Sequence, residues 1–311
     1  CSEPRPEDYD VLKREETRGT FRVTELGPSP DTNFMWFNMN PERSQTSGKP
    51  LVSPHKLKWF QNLDFRRAVA HSIDRSAIIR AVYFGRGSPV WAPATKADRL
   101  WHHPSVRKYE YDLRTARRLL ESAGFLDADG DGILEDSGGN EVRFTLLTNS
   151  ESELRVSMAN IIAQDLKDIG MRVDVVPMDF SSLVTRVRES KNYEACLLGL
   201  SRGVPLDPAM GLNVWKSSGR THFWYPEQAS PATPWEAEID SLMELQLSVP
   251  DYSRRKATYD RVQEIVCENA ALIYTASPDL FVAVNSRLGN VRPTVLRERV
   301  IWNIQCLYWK D

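Results

Sequence analysis

The sequence predicts an α/β fold in which a parallel βαβαβ sheet is flanked by helices. Short apolar, β-prone runs occur at 142–147, 171–176 and 193–200. Between the first two, Leu154, Met158, Ile161, Ile162, Leu166 and Ile169 share one helical face, and Gly170 ends the helix. Leu183 and Val187 mark another helix before the third run. Strands alternating with helices of this length imply right-handed crossovers and parallel pairing.

The remaining elements follow in order. Residues 1–19 are charged and irregular and read as a linker. TFRVTEL at 20–26 alternates like a strand, and FMWFN at 34–38 is a more apolar one. Residues 41–58 carry Pro, Ser, Gly and Lys and read as an exposed loop. Asp64 opens a helix, with Phe65, Ala68 and Val69 on its apolar face. Asp74 caps the next, which Gly85 stops, and Asp112 caps a third that ends at Gly124. Two long helices are expected around Ile239, Leu242 and Met243 and around Tyr259, Val262, Ile265 and Val266. Strands at 271–274 and 280–284 precede an apolar tail, VIWNIQCLYW at 300–309, that also reads as a strand.

Composition narrows the function classes. The chain has 311 residues, 41% hydrophobic and 26% charged, which are globular proportions. A net charge of -2 provides no basic field for nucleic acid or an anionic membrane. No apolar run approaches the roughly 20 residues of a membrane span. The opening CSEPRPEDYDVLKREE has no leader-like apolar core, so the sequence reads as cytosolic or as lacking its leader. Cys1 reads as a lipid-bearing residue or as the place where the sequence was cut, the second being simpler. Cys196, Cys267 and Cys306 have neither zinc nor disulfide-framework spacing.

The stretch at 192–215 organises the candidate site. The strand at 193–200 stops at Ser201, Arg202, Gly203, Pro205 and Pro208, which cannot continue a ladder. In an open α/β sheet, ligands sit beyond the carboxyl ends of the strands. This loop is therefore the expected place for a small molecule, with Trp36 and Trp215 as stacking rings and Arg202 as a fork for a carboxylate or phosphate. Asp127, Asp129 and Asp131, with Glu135, imitate the start of a calcium loop, although its twelfth position is Gly138. A water-solvated Asp/Gly turn is the other reading of that run. No HExxH, GxSxG, Walker or GxGxxG motif occurs. A hydrolytic enzyme using Asp207 and Glu227 as paired carboxylates is the alternative from a different class, and an interaction module using the tail strand is a third.

Taken together, FMWFNMN at 34–40, DFRRAVAHSIDRSAIIRAVYFGRGSPV at 64–90, YEYDLRTARRLLESAGFLDADGDGILED at 109–136, LKDIGMRVDV at 166–175 and YEACLLGLSRGVPLDP at 193–208 resemble family 5 extracellular solute-binding proteins. These are the oligopeptide- and dipeptide-binding components of ABC importers. The resemblance implies a periplasmic-binding-protein type II-like lobe, a small-molecule solute (peptide or other), an ABC permease as partner, no enzymatic step and no cofactor. It also implies a periplasmic or extracytoplasmic location, with membrane association as one reading. Family members are considerably longer, so residues 20–290 are expected to be the carboxy-terminal lobe. Residues 291–311 would then be a tail strand returning to a missing amino-terminal lobe. Peptide-binding relatives carry a Trp and, three residues later, an acid for the peptide amine. Here those places hold Leu200 and Gly203, and Asp207 belongs to the common DP pair. Peptide specificity does not transfer, and the expected solute contacts are Trp36, Asn38, Leu200, Ser201, Arg202, Gly203, Asp207 and Trp215.

Overall fold

A computed structural model describes residues 3–310, so Cys1 lies outside the described residues. The elements are α1 (Tyr9–Glu15), β1 (Phe21–Pro28), β2 (Thr32–Phe37), α2 (Pro54–Gln61), α3 (Leu63–Ser72), α4 (Arg75–Val82), β3 (Gly87–Pro89) and α5 (Leu113–Ser122). They continue with β4 (Arg143–Asn149), α6 (Glu153–Lys167), β5 (Arg172–Met178), α7 (Phe180–Val184), β6 (Ala195–Leu200) and α8 (Leu212–Trp215). The chain closes with α9 (Pro234–Ser248), α10 (Tyr252–Glu268), β7 (Ile273–Tyr274), β8 (Ala276–Asn285), β9 (Leu288–Gly289) and β10 (Tyr308–Trp309).

The central sheet has the order β5-β4-β6-β2-β7. β4 runs parallel to both β5 and β6, which is the expected βαβαβ unit. β2 is antiparallel to β6 and to β7, so the sheet is mixed. The alternation along β2 explains its nearly unbroken apolar sequence. Phe34 and Trp36 pack on Phe223, with ring centroids 5.2 and 4.8 Å away, while Phe37 packs on Phe60, Phe65 and Phe144. Both faces are covered, as a strand without polar alternation requires. A second sheet, β1-β8-β3, is antiparallel throughout.

The helix starts follow capping chemistry. Asp74 accepts the Ala77 amide, Asp112 that of Thr115 and Ser152 that of Arg155, contacts each contributing about 1 kcal/mol. At α3 the expectation is corrected. Asn62, not Asp64, is the cap, and its Oδ1 accepts from the amides of Asp64 and Phe65 at 2.8 and 3.1 Å. Gly85, Gly124 and Gly170 all have φ between 77° and 84°, the left-handed stop expected of each.

Three other local readings change. Residues 1–19 are not wholly irregular: α1 is seated by Tyr9, whose ring meets Phe281 edge-on at 5.0 Å. The loop at 41–58 contains the start of α2, with Pro54 in its first turn, a position where proline's missing donor costs nothing. The tail is not an extended strand. Only Tyr308 and Trp309 pair, with Gly289 and Leu288, after turns and a 3-10 segment at Ile304–Cys306. The tail thus folds back on this chain, leaving Trp302, Ile304, Tyr308 and Trp309 exposed.

Candidate functional site

The carboxyl ends of the parallel strands coincide. Asn149 pairs with Met178, and β6 ends at Leu200 opposite Thr32. A cavity of about 430 Å³ opens along this edge, lined by Asp31, Asn33, Arg155, Phe180, Leu200 and Ser201 among others. A second cavity of about 300 Å³ adjoins it, lined by Trp36, Leu183, Val187, Phe223 and others. Phe180, Leu198, Gly199 and Leu200 line both. The second is predominantly apolar, and its Val187 and Arg188 belong to a π-helical turn at Thr185–Ser190 that continues α7. Such turns are frequent at functional sites.

Of the expected contacts, Leu200 and Ser201 reach these cavities, and Trp36, itself fully buried, backs the wall of the second. Trp36 is fixed from behind: its Nε1 donates to the Tyr193 hydroxyl at 2.9 Å, which donates to the Phe223 carbonyl at 2.7 Å. The loop after β6 faces open surface, with Ser201, Gly203, Val204 and Pro205 exposed. Asp31 anchors it by accepting from the Arg202 amide at 2.8 Å and the Ser201 hydroxyl at 3.4 Å.

The structure gives the other expected contacts different work. Asn38 is buried, its Nδ2 donating to the carbonyls of Lys191 and Tyr193 at 2.8 and 2.9 Å. It ties β2 to the turn before β6. The Arg202 guanidinium is engaged by Asp98 at 3.1 Å, with the carboxylate only 2% exposed. Asp207 receives two N–H groups of Arg255, at 2.8 and 3.2 Å, and caps the turn at Pro208–Gly211. Trp215 is buried in the core rather than at an opening, because the short α8 turns it inward. A loop sequence does not reveal which of its charges have partners on distant helices.

The acidic loop at 127–135 lies elsewhere. Oxygens of Asp127, Asp129 and Glu135 lie within 4.8 Å of one another, and Asp131 is not in that group. These carboxylates accept backbone amides of their own turn: Asp127 from Gly130 and Gly132, Asp129 from Asp131, Glu135 from Ala128. Asp131 does the same for Ile133. That is the Asx-turn chemistry of an Asp/Gly connection, and it falls short of the six to eight oxygens calcium takes.

The residue the sequence did not single out is Arg155, in the first turn of α6. Its side chain makes no hydrogen bond and no ion pair to any other described residue, and its Nε is fully buried. Burial pulls its pKa below the ordinary guanidinium value. It lies against the backbone of β6: a Cβ at Gly199 would sit 2.6 Å from Arg155 Nη1. Glycine there allows the close approach.

Residues 1–223 match the family model described as bacterial extracellular solute-binding proteins, family 5 middle. The chain belongs to that family. It is 27% identical over 267 residues to a "Probable ABC transporter-binding protein" of Deinococcus radiodurans, covering 83% of this chain and 43% of that protein. It is likewise 27% identical over 258 residues to the oligopeptide-binding protein AppA of Bacillus subtilis, covering 80% and 44%. The family 5 chain therefore spans less than half the length of these two relatives. Among solved structures, AppA of B. subtilis with a nonapeptide superposes with a TM-score of 0.75 at 23% identity, over 99% of this chain and 56% of that one. The binding protein MelB of Agrobacterium fabrum with stachyose gives 0.77 at 21%, over 93% and 44%. These likenesses establish the α/β architecture of the family's type II-like binding fold.

Proposed function

We propose that this chain supplies one wall of a solute-binding cleft for an ABC importer. The wall is the carboxyl-end edge of the central sheet, and the observation that carries the reading is the open cavity there, with the Arg155 guanidinium, unpartnered among the described residues, in its lining. Family 5 membership supports capture without a chemical step. The opposite wall would come from a second lobe, this chain being the carboxy-terminal one, and closure would be a hinge motion. Loaded protein would be presented to a membrane permease outside the cytoplasm. The named ligands of the similar proteins, a nonapeptide and stachyose, differ too widely to carry over to this chain.

The charge states of the two carboxylates argue against the hydrolytic alternative. Burial pushes the pKa of Asp207 up, but its bidentate bonds to Arg255 bring it below the ordinary carboxylate value. Lys191 holds Glu227 low in the same way. Neither is poised to donate a proton, which a glycosidase acid must do. A thermal-shift screen of solutes tests the proposal. A true ligand raises Tm in proportion to the logarithm of its concentration over Kd. Turnover of a panel member, lost on Asp207→Asn, would reverse the choice.

A further inference from the structure

We infer that the solute is an amphipathic carboxylate whose acid group pairs with Arg155 and whose apolar group enters the neighbouring cavity. This rests on the cleft reading above. A guanidinium presents five N–H donors and cannot discharge at ordinary pH. Arg66, Arg75 and Arg202 are answered, whereas the buried Nε of Arg299 in the same cavity, like that of Arg155, has no partner among the described residues. Arg66 donates to the carbonyls of Phe60 and Asn269, Arg75 to those of Ala70, Tyr109 and Tyr274, and Arg202 to Asp98. Arg155 has no such partner among the described residues, and its Nε is buried. A buried donor without an acceptor is costly to keep, so the missing acceptor is assigned to the ligand. The guanidinium fork matches a planar carboxylate with two parallel N–H bonds.

The other polar groups of the lining already have partners on this chain. Asp31 also lines the cavity, but its oxygens are engaged by the Arg202 amide and Ser201. Arg299 lines it as well and is paired with Glu3. Asn33 donates to the Tyr83 hydroxyl at 3.1 Å. Beyond Phe180, half exposed where the two cavities meet, the walls change to Trp36, Leu183, Val187 and Phe223. A volume of about 300 Å³ is enough for an aromatic or branched aliphatic group. The solute would therefore bend at Phe180, with its polar end over Gly199 and its apolar end against Val187 and Phe223.

The test uses N-acetyl-L-phenylalanine, its carboxamide and acetate, titrated into the chain and followed by ¹H–¹⁵N NMR. The Arg155 Nε–H resonance is assigned with Arg155→Lys. The acid should move that resonance and bind at least about tenfold tighter than either the carboxamide or acetate, as expected for one charge-assisted pair. Arg155→Met should remove the acid's advantage over the carboxamide. Val187→Phe should remove its advantage over acetate. Should Arg155→Met fail to fold, Gly199→Ala displaces the guanidinium instead and should narrow the same ratio. If acid and carboxamide bind alike, or their ratio survives Arg155→Met, the inference is wrong while the cleft reading stands. If no member of a broad solute panel perturbs resonances of Asn33, Phe180 or Leu200, the cleft reading itself is wrong.

Discussion

Two polar clusters of this molecule are built in opposite ways. Behind the central sheet, Glu236 is 2% exposed and receives four side-chain donors: Trp224 Nε1 at 2.9 Å, His222 Nε2 at 3.2 Å, Gln228 Nε2 at 2.7 Å and Thr233 Oγ1 at 2.7 Å. His222 Nδ1 in turn faces the Val214 carbonyl at 2.9 Å. At the sheet's carboxyl edge, Arg155 has a comparable demand for partners and none among the described residues. The first cluster closes on itself and fixes the irregular segment at 217–233 onto α9. The second leaves its demand open toward a cavity. A satisfied buried charge serves the fold, whereas an unsatisfied one beside an opening points to a ligand.

The largest effect should come from breaking the closed cluster. Glu236→Leu leaves four donors without an acceptor and should cost about 3 kcal/mol or more, read from the urea midpoint. Next in size is a pH effect on the same group. Burial pushes the Glu236 pKa up, but its donors, His222 first, bring it down to about 2, from 4.5 when free. The folded value is lower, so the contribution is present in full above about pH 4.5. It is lost as pH falls from there toward about 2, on the order of 3 kcal/mol in all. Glu236→Gln should flatten the stability curve across that window; an unchanged slope would place the acid sensitivity in other groups. A smaller loss, about 1 kcal/mol, is expected for Asp207→Asn, because the Arg255 pair is only partly buried and solvent screens it. That change should loosen the loop at 201–208 in hydrogen exchange while leaving the core protected.

Much of the fold was legible because periodicity and caps agree. The three parallel strands, the helix between the first two and the stops at Gly85, Gly124 and Gly170 all appear where apolar spacing and left-handed glycines place them. The mixed sheet was less legible. Nothing local distinguishes a buried antiparallel strand such as β2 from a buried parallel one, since both lack alternation. The site divided in the same way. Position beyond β6 placed Leu200 and Ser201 at the edge where the cavity opens, because carboxyl ends of strands are set by topology. The individual charges did not follow, because Arg202 and Asp207 find partners at Asp98 and Arg255, far away in sequence. Arg155 did carry a signal that periodicity hid. A cation in the first turn of a helix opposes the helix dipole, and one placed just past the carboxyl end of a parallel strand asks for an explanation beyond the fold.

The most direct test of this contrast is the unfolding free energy of Arg155→Met measured beside the wild-type chain in the absence of solute. A guanidinium held for a ligand is a cost to the solute-free fold, so the substitution should raise stability, by about 1 kcal/mol. A loss as large as that of Glu236→Leu would show that Arg155 braces the fold, and the two clusters would then be of one kind.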